Sequence, residues 1–205
     1  MKPLRAWFLP SSRDVLGLLR TQLDTVDRVL AIVSRWARGD IDTASAVPLL
    51  RELVITEQTQ RRDLHAAVRA SFSTPLEAED IFELGERLGE QAESAYALVR
   101  EADLSATPPD PCLLDMIKAI ETIRSPLSEA LRALPSTAAA TPADQAIDNL
   151  ADAEHAYRAA IGDLENEPDL RREVRRRELY QRAEHLARRC ELVARRTWYA
   201  VCKSQ

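Results

Sequence analysis

The sequence predicts an all-α protein: six long helices forming two pseudo-repeated three-helix bundles within a single domain, 1–205. Three observations carry that reading. Only five of 205 residues are Gly, 45% are hydrophobic, 5% aromatic and 30% charged with both signs mixed, a composition that favours helix and leaves little for strands. Apolar residues recur in steps of three and four over long segments. Each such segment also opens on residues that start helices.

The first helix follows Ser12, and its stripe is Leu16, Leu19, Leu23, Val26, Leu30, Val33 and Ala37, closed by Gly39. Asp42 opens the second. Thr74-Pro75 opens the third, with Glu77 placed to complete a capping box, and Ile81, Leu84, Leu88, Ala95 and Leu98 form its stripe. Asp110-Pro111 opens the fourth, striped by Leu113, Ile117, Ile120, Leu127, Leu131 and Leu134, and Pro126 inside it is expected to kink or break it. Thr141-Pro142 opens the fifth, and Asn166 with Pro168 leads into the sixth. Pro is tolerated at a first helical position because its missing N–H would have no partner there. Residues 104–111 (LSATPPDP) are the clearest linker and separate halves 11–103 and 110–203; a second small-residue stretch lies at 135–142.

Composition also excludes function classes. Cys112, Cys190 and Cys202 are odd in number and lack CxxC spacing, which argues against a disulfide framework and a thiolate zinc site. Residues 1–14 lack the apolar run of a signal peptide and no stretch approaches a membrane span, so a cytoplasmic protein is expected, with a peripheral contact at the inner face of the membrane left open. No HExxH, P-loop or GxSxG motif occurs, and no Ser/His/Asp set stands out; a non-enzymatic protein is expected, with no small-molecule substrate identified. The net charge of −5 is unevenly spread. Residues 171–203 hold eleven Arg or Lys against four Glu, while residues 1–170 sum to −12. A basic helix docked on an acidic body is one reading; an anion-binding surface through Arg171, Arg172, Arg175, Arg176 and Arg177 is the other.

Charges also occupy core positions. In the second helix the seam runs Val47, Leu50, Val54, Glu57, Arg61, Leu64, Val68; in the fifth it runs Ile147, Leu150, Glu154, Tyr157, Ile161, Leu164. A buried carboxylate needs a partner. Glu57 and Arg61 are one turn apart and can pair, whereas Glu154 must find a partner on another helix. Either interhelical salt bridges or a polar site inside the bundle results.

FSTPLEAEDI at 72–81 resembles a signature of PhoU-like proteins of the Pit-accessory type, supported by the WFLP start, RRDLH at 61–65 and ELYQRAEHLARRCELVA at 178–194. The resemblance implies a six-helix, pseudo-repeated fold of bacterial type and a role in phosphate-transport regulation, with a phosphate carrier or sensor protein at the membrane as partner and a homo-oligomer as a further expectation. Such proteins hold iron, zinc or other divalent metals on paired acids four apart. Carried over, that motif keeps Glu57, Glu93, Glu154 and Glu184 and loses its other acids to Arg61, Gly89, Leu150 and Arg188. Four carboxylates beside two guanidinium groups make a poor cage for hard cations, so ion pairs are expected in place of metal, and no cofactor. His65, His155 and His185 lie near motif residues, but neighbours along a helix diverge by about 100° and face elsewhere. The alternative function, from a different class, is a polyphosphate- or nucleic-acid-binding protein using the basic sixth helix; scarce aromatic residues and an acidic body weigh against it. A metal-storage protein or metal-dependent enzyme is a third, which the lost carboxylates disfavour.

Overall fold

The protein, seen in a computed structural model that describes residues 14–204, forms its helices largely where the spacing places them; among the described residues there is no strand. Helix α1 (Val15–Ala37) is opened by Asp14, whose carboxylate accepts the Gly17 N–H at 2.8 Å. Ser12 lies outside the described residues. Gly39, at φ +79°, turns the chain in the left-handed region that a side chain would disfavour. Helix α2 (Thr43–Ala70) opens on Asp42, which accepts the Ser45 N–H at 2.7 Å.

Helix α3 (Ala78–Ser105) starts later than the capping-box reading has it. The Thr74 hydroxyl donates to the Leu76 carbonyl within a turn that buries Leu76, and Glu77, the residue before the helix, pairs with Lys203 instead of capping. Helix α4 (Pro111–Ala133) has the expected cap, Asp110 accepting the Leu113 N–H at 2.9 Å with Pro111 in the first turn.

The predicted fifth helix is two: α5 (Ala140–Asp148) and α6 (Leu150–Asp163), divided at Asn149. It starts ahead of Thr141-Pro142, from a single turn of 3₁₀ helix at Thr137–Ala139 under Ser136. The division has a cause on another helix. Pro126 does not break α4, but its ring nitrogen cannot donate to the Thr122 carbonyl one turn back. The Asn149 side-chain amide donates to that carbonyl instead, at 2.7 Å. Helix α7 (Leu170–Ser204) is capped by Asp169, which accepts from the Arg171 and Arg172 N–H groups at 2.9 and 3.3 Å; Asn166 and Pro168 lie in the approach.

Helices α1, α2 and α3 pack against one another, α4 gathers α5, α6 and α7, α1 lies on α4, and α3 lies along α7. Ion pairs Glu101–Arg182, Glu90–Arg189, Asp80–Arg196 and Glu77–Lys203 show α3 and α7 to be antiparallel. Asp27 of α1 fixes α4 by accepting from Arg124, Ser128 and Arg132. One apolar core runs through all of it: Leu50, Leu64, Leu84, Leu98, Leu113 and Ile123 are fully buried. Truncating any such Leu to Ala should cost about 2–5 kcal/mol. Helix α6 is the exception, burying Ala160 alone.

Candidate functional site

Among the described residues a cluster of polar side chains enters the interior between α1, α2 and α3; Asp80 and Gln91 of α3 are buried as well, against Arg196 and Cys190 of α7. Glu57 is completely buried. Its Oε1 accepts from the Gln22 amide of α1 at 2.7 Å, and the same amide donates to the Gly85 carbonyl of α3, also at 2.7 Å. Gln22 was hidden from a reading that followed only apolar residues, although it stands three after Leu19 and four before Val26, on the stripe itself. Glu57 Oε2 has no hydrogen-bond partner among the described residues.

Arg61, half-buried, collects carboxylates from two helices. Its Nε lies 3.7 Å from Glu57 Oε1, its Nη2 3.0 Å from Glu93 and its Nη1 3.7 Å from Glu86. Glu93 is therefore claimed by Arg61: α3 presents it one turn beyond Gly89, within reach of the guanidinium. His65 Nε2 stands 3.4 Å from Glu86, and its ring stacks on Phe82 at 4.3 Å.

The electrostatics follow from burial. Desolvation pushes the Glu57 carboxyl above the ordinary glutamate range, against the pull of Arg61 and the Gln22 amide. Desolvation also works against charge on Arg61, but Glu57, Glu93 and Glu86 together hold its guanidinium above the usual value. Burial lowers the His65 imidazole despite Glu86 beside it.

Gly89 completes the arrangement. A Cβ there would stand 2.7 Å from Arg61 Cζ and 2.8 Å from Glu57 Oε1. The helix gives up a side chain so that the guanidinium can lie against its backbone.

The other set of motif residues meets at a cleft of about 500 Å³ between α6 and α7, floored by Ile123 and Leu150. Glu154 does not sit in a buried seam, as its spacing suggested; it is exposed and pairs with Arg158 one turn along its own helix. The seam fails because α6 is packed only on its edge, so its central position faces open space. Glu184 pairs with Arg188, and Glu191 with Arg195, in the same one-turn fashion around the rim. His155 and His185 are both exposed.

The basic helix is mostly neutralised. Arg172 and Arg176 are held by Glu167, with Asp110 also on Arg176; Arg177 by Glu173; Arg182, Arg189, Arg196 and Lys203 by α3 acids. Of the five candidate anion-binding arginines only Arg171 and Arg175 lack a carboxylate partner among the described residues.

The metal that the resemblance implies does not fit these residues. A fixed cation, the Arg61 guanidinium, already fills the space between Glu57, Glu86 and Glu93, and at the α6/α7 cleft each acid has an arginine one turn away. Among the described residues no group of three or more His, Cys, Asp or Glu side chains is placed to hold an ion.

No family model matches the sequence, and no curated protein matches it. Solved structures do match. One is a PhoU-like protein from Shewanella oneidensis MR-1, superposed with a TM-score of 0.77 at 13% identity, over 92% of this chain and 99% of that one. A second, from the same organism, is a candidate PhoU-like phosphate regulatory protein, with a TM-score of 0.70 at 15% identity over 93% of this chain and 100% of the other. The all-α PhoU-like fold is the fold of this chain.

Proposed function

We propose that this chain is a non-enzymatic regulator or accessory of inorganic phosphate transport, acting by docking to a phosphate carrier or sensor protein on the cytoplasmic side of the membrane. The observation that carries the reading is end-to-end correspondence with two PhoU-like structures. The polar clusters support it. Their carboxylates are engaged by guanidinium groups, an arrangement that holds helices in place and offers no free base or nucleophile. The two motif sites, at 57/61/89/93 and 150/154/184/188, are read as positions where ion pairs stand in for metal, one in each half of the chain. No helix among the described residues is long and apolar enough to cross a membrane, so contact with a carrier would come through a surface.

The nucleic-acid and polyphosphate reading loses its main support, because most of the positive charge on α7 is answered by acids of the body. Deleting the gene and following uptake of labelled inorganic phosphate separates the two. Uptake, or its repression at high phosphate, should change by several-fold. Unchanged uptake in both starved and replete cells would overturn the proposal.

A further inference from the structure

Two cavities of similar size lie along α7, and their linings differ in charge. The cleft against α6 sets Arg158, Arg188 and Arg195 against Glu154, Glu184 and Glu191, and each arginine is paired with the glutamate one turn before it. The other, of about 510 Å³, lies between the α3–α4 connection and the first two turns of α7. It presents four arginines, Arg171, Arg172, Arg175 and Arg176, against two acids, Asp110 and Asp169. Its volume is that of a small-molecule site.

Both acids are already engaged. Asp110 Oδ1 caps α4 through the Leu113 N–H; its Oδ2 accepts from the Tyr180 hydroxyl at 2.7 Å and lies 3.2 Å from Arg176 Nε. Asp169 Oδ1 accepts the Arg171 and Arg172 N–H groups. Glu167, its side chain only 6% exposed, holds Arg176 at 3.1 Å and Arg172 at 3.6 Å. The remaining acids of this end, Asp103, Asp163, Glu165 and Glu173, do not line the cavity. Arg171 and Arg175 are left without a carboxylate partner among the described residues. They stand one turn apart, as do Arg172 and Arg176. Like charges at that spacing repel, and the fold supplies counter-charge to only one of the two rows.

The opposite wall is neutral and stiff. Ala106, at φ +50°, turns the chain out of α3 in the left-handed region. Pro108 and Pro109 follow, each with φ fixed by its ring. We propose that this cavity binds a phosphoryl group, on free phosphate or on a small phosphate monoester, through Arg171 and Arg175, with Arg172 and Arg176 tethered beside them. A dianion matches the two guanidinium charges left uncompensated, where a single carboxylate would neutralise one. The guanidinium fork also suits phosphate oxygens taken two at a time. A long polyanion is a poorer match, because arginines farther along α7 are claimed by α3 acids. The site rests on its own lining and not on the phosphate-transport reading, so either can fail without the other.

The test is titration calorimetry on the full chain at low ionic strength, with inorganic phosphate and glucose 6-phosphate as probes. At least one should bind saturably, once per chain. The tighter probe identifies the source: the free ion, or a monoester whose organic part lies against Ala106, Pro108 and Pro109. Arg171→Gln with Arg175→Gln should weaken binding by about tenfold or more, because charge-assisted hydrogen bonds to the anion are lost. The rise in melting temperature given by the bound probe should go with it. Without a probe, this variant should melt no lower than the native chain, since two repelling charges have been removed. Arg188→Gln with Arg195→Gln, at the paired cleft, should leave binding intact. Absence of saturable binding by both probes would overturn the proposal, as would binding that survives Arg171→Gln with Arg175→Gln. Equal losses in the two double variants would also overturn it, since general attraction to a basic helix would then account for the binding.

Discussion

The α2/α3 cluster and the α6/α7 cleft are built from the same parts, a glutamate with an arginine one turn later, yet they do opposite things. At Glu57–Arg61 the pair is enclosed: Glu57 is sealed on all sides, Gln22 fixes it from a third helix, and Gly89 vacates space for the guanidinium. At Glu154–Arg158 and Glu184–Arg188 the arginines are 75% and 69% exposed and the acids face solvent on the rim of an open cleft. Burial, not residue type, decides whether such a pair is a strut or a surface ornament. Exposed one-turn pairs contribute about 0.3–0.5 kcal/mol, whereas breaking a buried pair leaves a charge that water cannot reach.

Arg61→Ala therefore tests the contrast most strongly. It should destabilise the protein by about 3–5 kcal/mol, the cost of an unpaired buried charge, as read from urea unfolding at neutral pH. Arg158→Ala and Arg188→Ala should each shift stability by no more than about 0.5 kcal/mol. Equal effects at the two places would erase the distinction.

Gly89→Ala sharpens it. Alanine would ordinarily stabilise a helix interior by about 1 kcal/mol over glycine, but here its methyl meets the guanidinium, and overpacking costs about 1–3 kcal/mol. The net change should be destabilising, and the penalty should shrink in the Arg61→Ala background, with a coupling of about 1 kcal/mol or more in the double-mutant cycle. Gly162 of α6 has open space around it, so Gly162→Ala should stabilise.

The same contrast explains what the sequence could and could not reveal. Helices with a continuous stripe, such as α1 and α4, were legible because three- and four-residue spacing maps directly onto one buried face. The third start was misplaced because the Thr74 hydroxyl turns onto the Leu76 carbonyl and Glu77 pairs with Lys203, so α3 begins only at Ala78. The division at Asn149 was invisible because its cause, the carbonyl released by Pro126, belongs to another helix. The Glu57–Arg61 pair could be read from one segment. Gln22, Glu86 and Glu93 could not be assigned as partners, because nothing in one helix tells which rotation of its neighbours faces it. Glu154 misled because periodicity locates a face without saying whether anything covers it.

A smaller effect concerns acid. The folded imidazole of His65 is held below its ordinary value by burial, so the folded state resists a proton that the unfolded chain accepts near pH 6.5. The stability His65 contributes is thus present above that pH and is lost as pH falls through the folded value. His65→Phe should flatten the acid side of the stability profile between about pH 7 and 5 by a fraction of a kcal/mol, the imidazole being partly solvated. Glu57 works in the other sense. Its raised carboxyl favours folding at low pH and loses that advantage as pH rises through the folded value. Glu57→Gln should therefore remove a loss of stability on going from acid to neutral pH, a change opposite in direction to that of His65→Phe.

The smallest expected effect is none at all. Because Arg61 is covalently part of the chain, the charge that holds Glu57, Glu86 and Glu93 together cannot be extracted, and neither chelator nor added divalent cation should move the melting temperature of the native protein by more than about 1 °C, since a ligand stabilises only as far as it binds the folded state. Arg61→Ala is where a cation should register. Removing the guanidinium leaves Glu57, Glu86 and Glu93 without their shared cation. In the native arrangement they are not placed to hold an ion, but carboxylates and the His65 imidazole that close on the vacated space are donors suited to a borderline divalent ion. Added zinc or manganese should then raise the melting temperature of that variant while leaving the native chain unchanged. Stoichiometric metal in the purified native protein, removed with a large fall in melting temperature, would show that Arg61 does not take the ion's place and would restore the two sites to equivalence.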